Sequence, residues 1–310
     1  MLSDRIVEWN VTGAIANWLS NDIKAPFVTA YDLASLFFAL CGKGHHNGIA
    51  VNVPKQIPTR ADLSNLCKRL LGLGILQKEG CPVGIYRYTA QASYDSVYEL
   101  AYCADPVSCI SHLSAMEYHG LTNRLSKIIF TTTLSNQLWR GWADLAMLKT
   151  VGEKLPIFLN TDLPKLRRIN VRKFGEYSFK TYQTQTLVES FLVPDRAYKM
   201  ARVEGVFFDM VREPGLCGGM GHVVDTFREH GARYAQDIIR TVSLHGKPIH
   251  KARVGYLLES IGVESKEFPD WLKTVTQGSS RVLDPTAPFN RSSYSERWQL
   301  SLNTTGRMDD

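Results

Sequence analysis

Few residues of this 310-residue chain have the types and spacing that chemistry requires. Gly215-Leu216-Cys217-Gly218-Gly219-Met220-Gly221 has the glycine density of a phosphate-cradling loop. It lacks the Gly-Lys-Ser/Thr ending that carries a lysine and a hydroxyl to the phosphates, and it follows a helical stretch and Pro214, not a strand. A helix-to-helix turn needing positive backbone angles accounts for those glycines. His112 and His119 stand seven apart near Glu117, which is not His-Glu-x-x-His, so packed or hydrogen-bonded histidines are expected. Gly-x-Ser-x-Gly is absent, and Cys217 has no local basic surroundings to stabilise a thiolate. The six cysteines (Cys41, Cys67, Cys81, Cys103, Cys109, Cys217) include no Cys-x-x-Cys pair and read as reduced, mostly buried thiols. Neither catalysis, a metal nor a cofactor is expected from these groups.

The remaining chemistry is charge recognition. Thr59 is placed to cap a helix in which Leu63, Leu66, Cys67, Leu70 and Leu71 recur at the spacing of one buried stripe. The opposite face displays Arg60, Ser64, Asn65, Lys68 and Arg69, side-chain types that contact phosphates and base edges from the major groove. A second basic run, Lys165-Leu166-Arg167-Arg168-Ile169-Asn170-Val171-Arg172-Lys173-Phe174, carries five positive charges. Its alternation suggests a strand edge that either tracks phosphates or is protected from aggregation by its charges. A net charge of +6 suits a polyanionic partner.

Positioning the first of these clusters takes a small set of elements. An amphipathic helix is expected from Ile6 to Leu19, then a short extended piece at Phe27-Val28-Thr29. Thr29 or Asp32 caps a second helix that stops at Gly42-Lys43-Gly44. The helix after Thr59 ends at Gly72 and Gly74, and a hairpin follows, with Ile75–Lys78 and Ile85–Tyr88 flanking a turn. Three helices and a hairpin are the order of a winged helix, which puts Lys78 and Arg87 on the flanking DNA backbone. The fold class expected is therefore α+β: an N-terminal winged helix-turn-helix at 1–92, a mixed α/β domain at 93–276 and a polar extension at 277–310.

In the second domain Asp105-Pro106 is expected to cap a helix over 107–119, followed by a strand at Ile128–Thr133. Helical patterns resume at Pro194 and run through Val203–Val211, and others cover 222–230, 234–244 and 251–259. The first residues lack the apolar core of a secretory signal and no segment reaches the ~20 apolar residues of a membrane span, so a cytoplasmic protein is expected.

Several blocks resemble the AbiEi family of antitoxins. They are His112-Leu113-Ser114-Ala115-Met116-Glu117-Tyr118-His119-Gly120-Leu121-Thr122, Arg202–Val211 with Asp209 and the Gly218-Gly219 pair, Arg253-Val254-Gly255-Tyr256-Leu257-Leu258-Glu259, and Arg297-Trp298-Gln299-Leu300-Ser301-Leu302-Asn303. In order they span roughly residues 105–303; the stretch Gly42 to Pro58 is an insertion against the family pattern. The resemblance implies a repressor of its own operon, with the winged helix on double-stranded operator DNA and the C-terminal part neutralising an AbiEii-like nucleotidyltransferase toxin of an abortive-infection system. The alternatives are a stand-alone transcriptional regulator and a nucleic-acid-processing enzyme.

Overall fold

The computed structural model describes residues 9–23, 25–91, 97–275 and 280–304. After a two-residue strand β1 (Trp9–Asn10), the Asn10 side chain accepts the Gly13 N–H at 2.8 Å and opens helix α1 (Val11–Asn21). The start expected at Ile6 lies outside the described residues. β2 (Phe27–Thr29) leads into α2 (Ala30–Lys43), opened by reciprocal bonds between Thr29 and Asp32 and closed by Gly44 in the left-handed region. The insertion after Gly42 holds a hairpin, β3 (His45–His46) with β4 (Ile49–Asn52). Thr59 and Asp62 form the same reciprocal cap on α3 (Arg60–Gly72), which buries Leu63, Leu66, Cys67 and Leu70. β5 (Leu76–Gln77) and β6 (Ile85–Tyr88) make the antiparallel hairpin, and β2 joins it in the order β2-β6-β5.

Beyond α4 (Val97–Ala104) the expected helix over 107–119 is divided. Cys109–Ile110 is a strand, β7, and only α5 (His112–Tyr118) is helical. Ile110 pairs with Thr131 of β8 (Ile128–Leu134) on one side and with Met200 on the other. Such long-range pairing overrides a local helical pattern. The sequence offers no clear expectation for α6 (Asn136–Val151), followed by α7 (Leu155–Leu159). The strand edge expected over 165–174 is confined to β9 (Lys173–Phe174), which pairs with the start of β10 (Tyr177–Thr184). The helix expected from Pro194 starts only at Val203, because β11 (Ser190–Leu192) and β12 (Lys199–Ala201) occupy the stretch around it.

From there the chain is mostly helical: α8 (Val203–Arg212), α9 (Met220–Thr226), α10 (Ala232–His245), α11 (Pro248–Glu259) and α12 (Phe268–Lys273), then a small hairpin, β13 (Tyr294–Ser295) with β14 (Leu300–Ser301). Gly218 and Gly219, between α8 and α9, have φ of 90° and 92°, the positive angles expected of a helix-to-helix turn. The fold is mixed α/β. Among the described residues no helix is long and apolar enough to cross a membrane.

The boundaries expected near residues 93 and 276 lie outside the described residues. By its contacts the chain divides into two units, one of residues 1–108, 133–179 and 192–198, the other of 109–132, 180–191 and 199–310. The first unit recruits α6 and α7 because Phe158, fully buried, packs edge-on against Phe38, with Met147 and Leu163 in the same core. The second is built around α8, whose residues 204–211 are all buried, packed against α5, α10 and α11.

In that unit the segments 253–259 and 297–303 meet. The Trp298 ring lies over Gly255, where an added Cβ would fall 2.1 Å from the ring, and Trp298 Nε1 donates to Glu259 at 2.8 Å. The ring cannot swing aside without losing that bond. Gly255→Ala is expected to destabilise the second unit by about 1–3 kcal/mol, the usual cost of overpacking. A chemical-denaturation midpoint equal to that of the native chain would contradict this account.

Candidate functional site

A groove with a cavity of about 640 Å³ opens within the first unit. One wall is α3, a second is the β5–β6 hairpin, and the third is the irregular segment 162–169. The sequence suggested two separate basic surfaces, and the fold brings parts of both to this cavity. Arg60, Ser64 and Lys68 reach it from α3, Lys78 from the hairpin, and Lys165 and Arg167 from the segment. Residues 60, 64 and 68 succeed one another at i, i+4 and i+8 and share one flank of the helix. Asn65 and Arg69 fall on the next flank and are exposed, and the capping residue Thr59 is exposed at the helix start.

Asp162 ties the walls together: its Oδ1 accepts the backbone N–H of Arg60 at 2.8 Å. Asp162, Val83, Tyr86 and Ile169 also line the cavity, and nothing in their local sequence marks them. At the base of the helix, the Lys55 ammonium and the Thr59 N–H and hydroxyl hold the Asp62 carboxyl down at about 2. The cap is thus ionised throughout the physiological range.

The five cations of the 165–173 run have three different fates. Lys165 is committed inward: its ammonium donates to the carbonyls of Phe158, Thr161 and Leu163 within 3.0 Å and lies 4.4 Å from the Phe158 ring centroid. Burial holds it below the usual lysine value, partly opposed by Asp162. Arg168 pairs with Asp105 at 2.9 Å and donates to the Leu134 carbonyl at 2.7 Å. Both side chains are thus engaged by the protein itself rather than turned freely towards a phosphate. Arg167, between them, is exposed and faces the groove, while Arg172 and Lys173 are exposed outside it. Arg87 is also held by the protein: its guanidinium lies 5.6 Å from the centroids of both the Phe27 and Phe174 rings, and its Nε is buried.

A second cluster, in the other unit, is fully enclosed. His112 Nδ1 lies 2.7 Å from the Ser111 hydroxyl, which accepts from Thr132 at 2.8 Å. Asp209 pairs with Arg212 at 2.5 Å and stands 3.9 Å from His112, and the Arg212 guanidinium packs over the Tyr182 and Phe208 rings. His112 and Asp209 are wholly buried, so this Ser-His-Asp set is not presented to a substrate. His119, at the end of α5, bonds the Ala201 carbonyl, as expected of a packed histidine. The six cysteines are unpaired; burial raises the thiols, Cys41 to about 11 and Cys109 to about 12, which makes them poor nucleophiles. Among the described residues no group of three or more His, Cys, Asp or Glu side chains could hold a metal ion.

No protein-family model and no curated protein matches the chain. Among solved structures it is similar to the RV2827C protein from Mycobacterium tuberculosis, at 13% identity and a TM-score of 0.48, over 93% of this chain and 90% of that chain.

Two outcomes check these assignments. Lys165→Met should destabilise the first unit by about 1–2 kcal/mol, because carbonyls lose their donor, whereas Arg167→Ala should leave thermal melting unchanged; equal effects of the two would contradict the anchoring role. The second concerns acid. Burial lowers His112, an effect that Asp209 opposes and Arg212 reinforces; burial, with Arg253, Arg212 and Lys247, lowers His250 to about 4. Both are neutral in the folded state, whereas the unfolded chain binds protons below about 6.5. Stability of the second unit should therefore be flat above pH 6.5 and fall as pH drops from 6.5 towards 4. A denaturation series with no loss across that window would refute the assignment.

Proposed function

We propose that the chain is a DNA-binding transcriptional regulator, with the N-terminal elements acting as a winged helix, α3 as its recognition helix and the β5–β6 hairpin as its wing. The observation that carries this reading is α3 itself. It is capped at both Thr59 and Asp62, seated on a core through Leu63, Leu66, Cys67 and Leu70, and exposed at Asn65, Lys68 and Arg69. A helix held in this way keeps its outer side chains in fixed register, which reading base edges requires. Asn65 is the residue suited to adenine, and Arg69 to phosphate or guanine. The three-stranded sheet β2-β6-β5 beside the helix supports the same reading.

A second reading is kept for the second unit, as an AbiEi-type antitoxin surface directed at a nucleotidyltransferase toxin. It is favoured by the contact of Gly255 with Trp298, which joins two of the family-like blocks. Co-purification with a nucleotidyltransferase encoded beside it would support this, and its absence would favour a stand-alone regulator.

The test of the leading reading is binding of the purified chain to its own upstream DNA against random DNA over a range of salt. Arg69→Ala should lower the slope of log K against log salt by roughly one, and Asn65→Ala should relax sequence preference with little change in slope. Absence of any preference for the upstream fragment in the native chain would sink the proposal.

A further inference from the structure

The geometry points to a second ligand: we propose that the groove between α3, the hairpin and segment 162–169 binds a phosphorylated small molecule of nucleotide size. The walls make two demands on an occupant. Arg60, Lys68, Lys78 and Arg167 converge on the cavity from three elements, and no ion pair neutralises their side chains among the described residues. The acid at the rim, Asp162, already spends one oxygen on the Arg60 N–H. Four cations against one carboxylate call for a multiply charged anion. The other part of the lining is apolar and aromatic, with Leu63, Leu71, Val83, Ile169 and Tyr86, and Val83 stands 81% exposed. An occupant therefore needs a flat, weakly polar body beside its charge, as a nucleobase has.

Size selects between a small molecule and duplex DNA. A cavity of about 640 Å³ falls within the ~300–1,000 Å³ of small-molecule sites. An α-helix of roughly 10–12 Å diameter already fills a major groove about 12 Å wide. Segment 162–169 lies against the Arg60–Ser64–Lys68 flank, so that flank cannot enter the groove of a duplex with the segment in place. The cationic surface of α3 is thus divided, one flank turned to the slot and the flank of Asn65 and Arg69 left open. The inference does not depend on the DNA-binding reading, since it concerns the groove-facing flank alone.

The test uses the full-length chain and the fluorescent nucleotide MANT-ADP, without DNA. Saturable one-to-one binding is expected, displaced by ADP and by pyrophosphate but not by adenosine. Arg60→Ala with Arg167→Ala should weaken it by at least about tenfold, since each removes a charge-assisted contact. Lys149→Ala, an exposed cation outside the groove, should leave it unchanged. Thermal melts of the double variant serve to show that it is folded; both substituted side chains are exposed. Three results would each overturn the proposal: no saturable binding by the native chain, displacement by adenosine as effective as by ADP, or native affinity in a folded double variant.

Discussion

The first unit depends on an ion pair made far from the helix it serves. Arg168 meets Asp105 at 2.9 Å, and the same carboxylate accepts the Trp139 indole N–H at 2.8 Å. The guanidinium also lies 5.3 Å from the Trp139 ring centroid and donates to the Leu134 carbonyl. A half-buried arginine satisfied on so many sides has one position, and the chain on either side inherits it. Three residues earlier Lys165 donates to the carbonyl of Phe158, in the last turn of α7, and to those of Thr161 and Leu163 beyond it, an arrangement favoured at helix C-termini. Around these anchors, residues 162–169 run without regular secondary structure, and they become the third wall of the groove.

Charges in the second unit serve a different end. Asp209, Arg212 and His112 are surrounded by protein, and Arg253 is drawn inward to donate to the carbonyls of Val211 and Val282. Buried charges seldom add net stability over an apolar core, but removing one partner leaves the other unpaired at high cost. Asp209 and Arg212 stand one turn apart on α8, so each meets the other's charge. Three contacts lock the unit together: Asp209 to Arg212, Gly255 under Trp298, and Glu259 to the Trp298 indole.

What could be read from the sequence by itself was local. The cap residues Thr29 and Thr59, the stripe of Leu63, Leu66, Cys67 and Leu70, the hairpin after Gly74 and the glycine turn at 218–219 all follow from backbone and side-chain preferences within a few residues. The exposure of Arg60, Ser64, Asn65, Lys68 and Arg69 followed as well, because one buried stripe leaves the remaining faces open.

Tertiary structure decided whatever depended on partners distant in sequence. Cys109 and Ile110 carry a helical pattern but are claimed by β8 and β12, whose hydrogen bonds outweigh local preference. In the 165–173 run, five cations look alike in sequence, yet Asp105 pairs with Arg168 and the carbonyls of Phe158, Thr161 and Leu163 hold the Lys165 ammonium, while Arg167 stays exposed at the cavity. The groove exists because residues more than ninety positions apart, Arg60 and Asp162, share a hydrogen bond. Local propensity determined the helix and its charged faces; only folding determined which flank lines the groove, because a groove requires a second segment whose place is set by its own buried anchors.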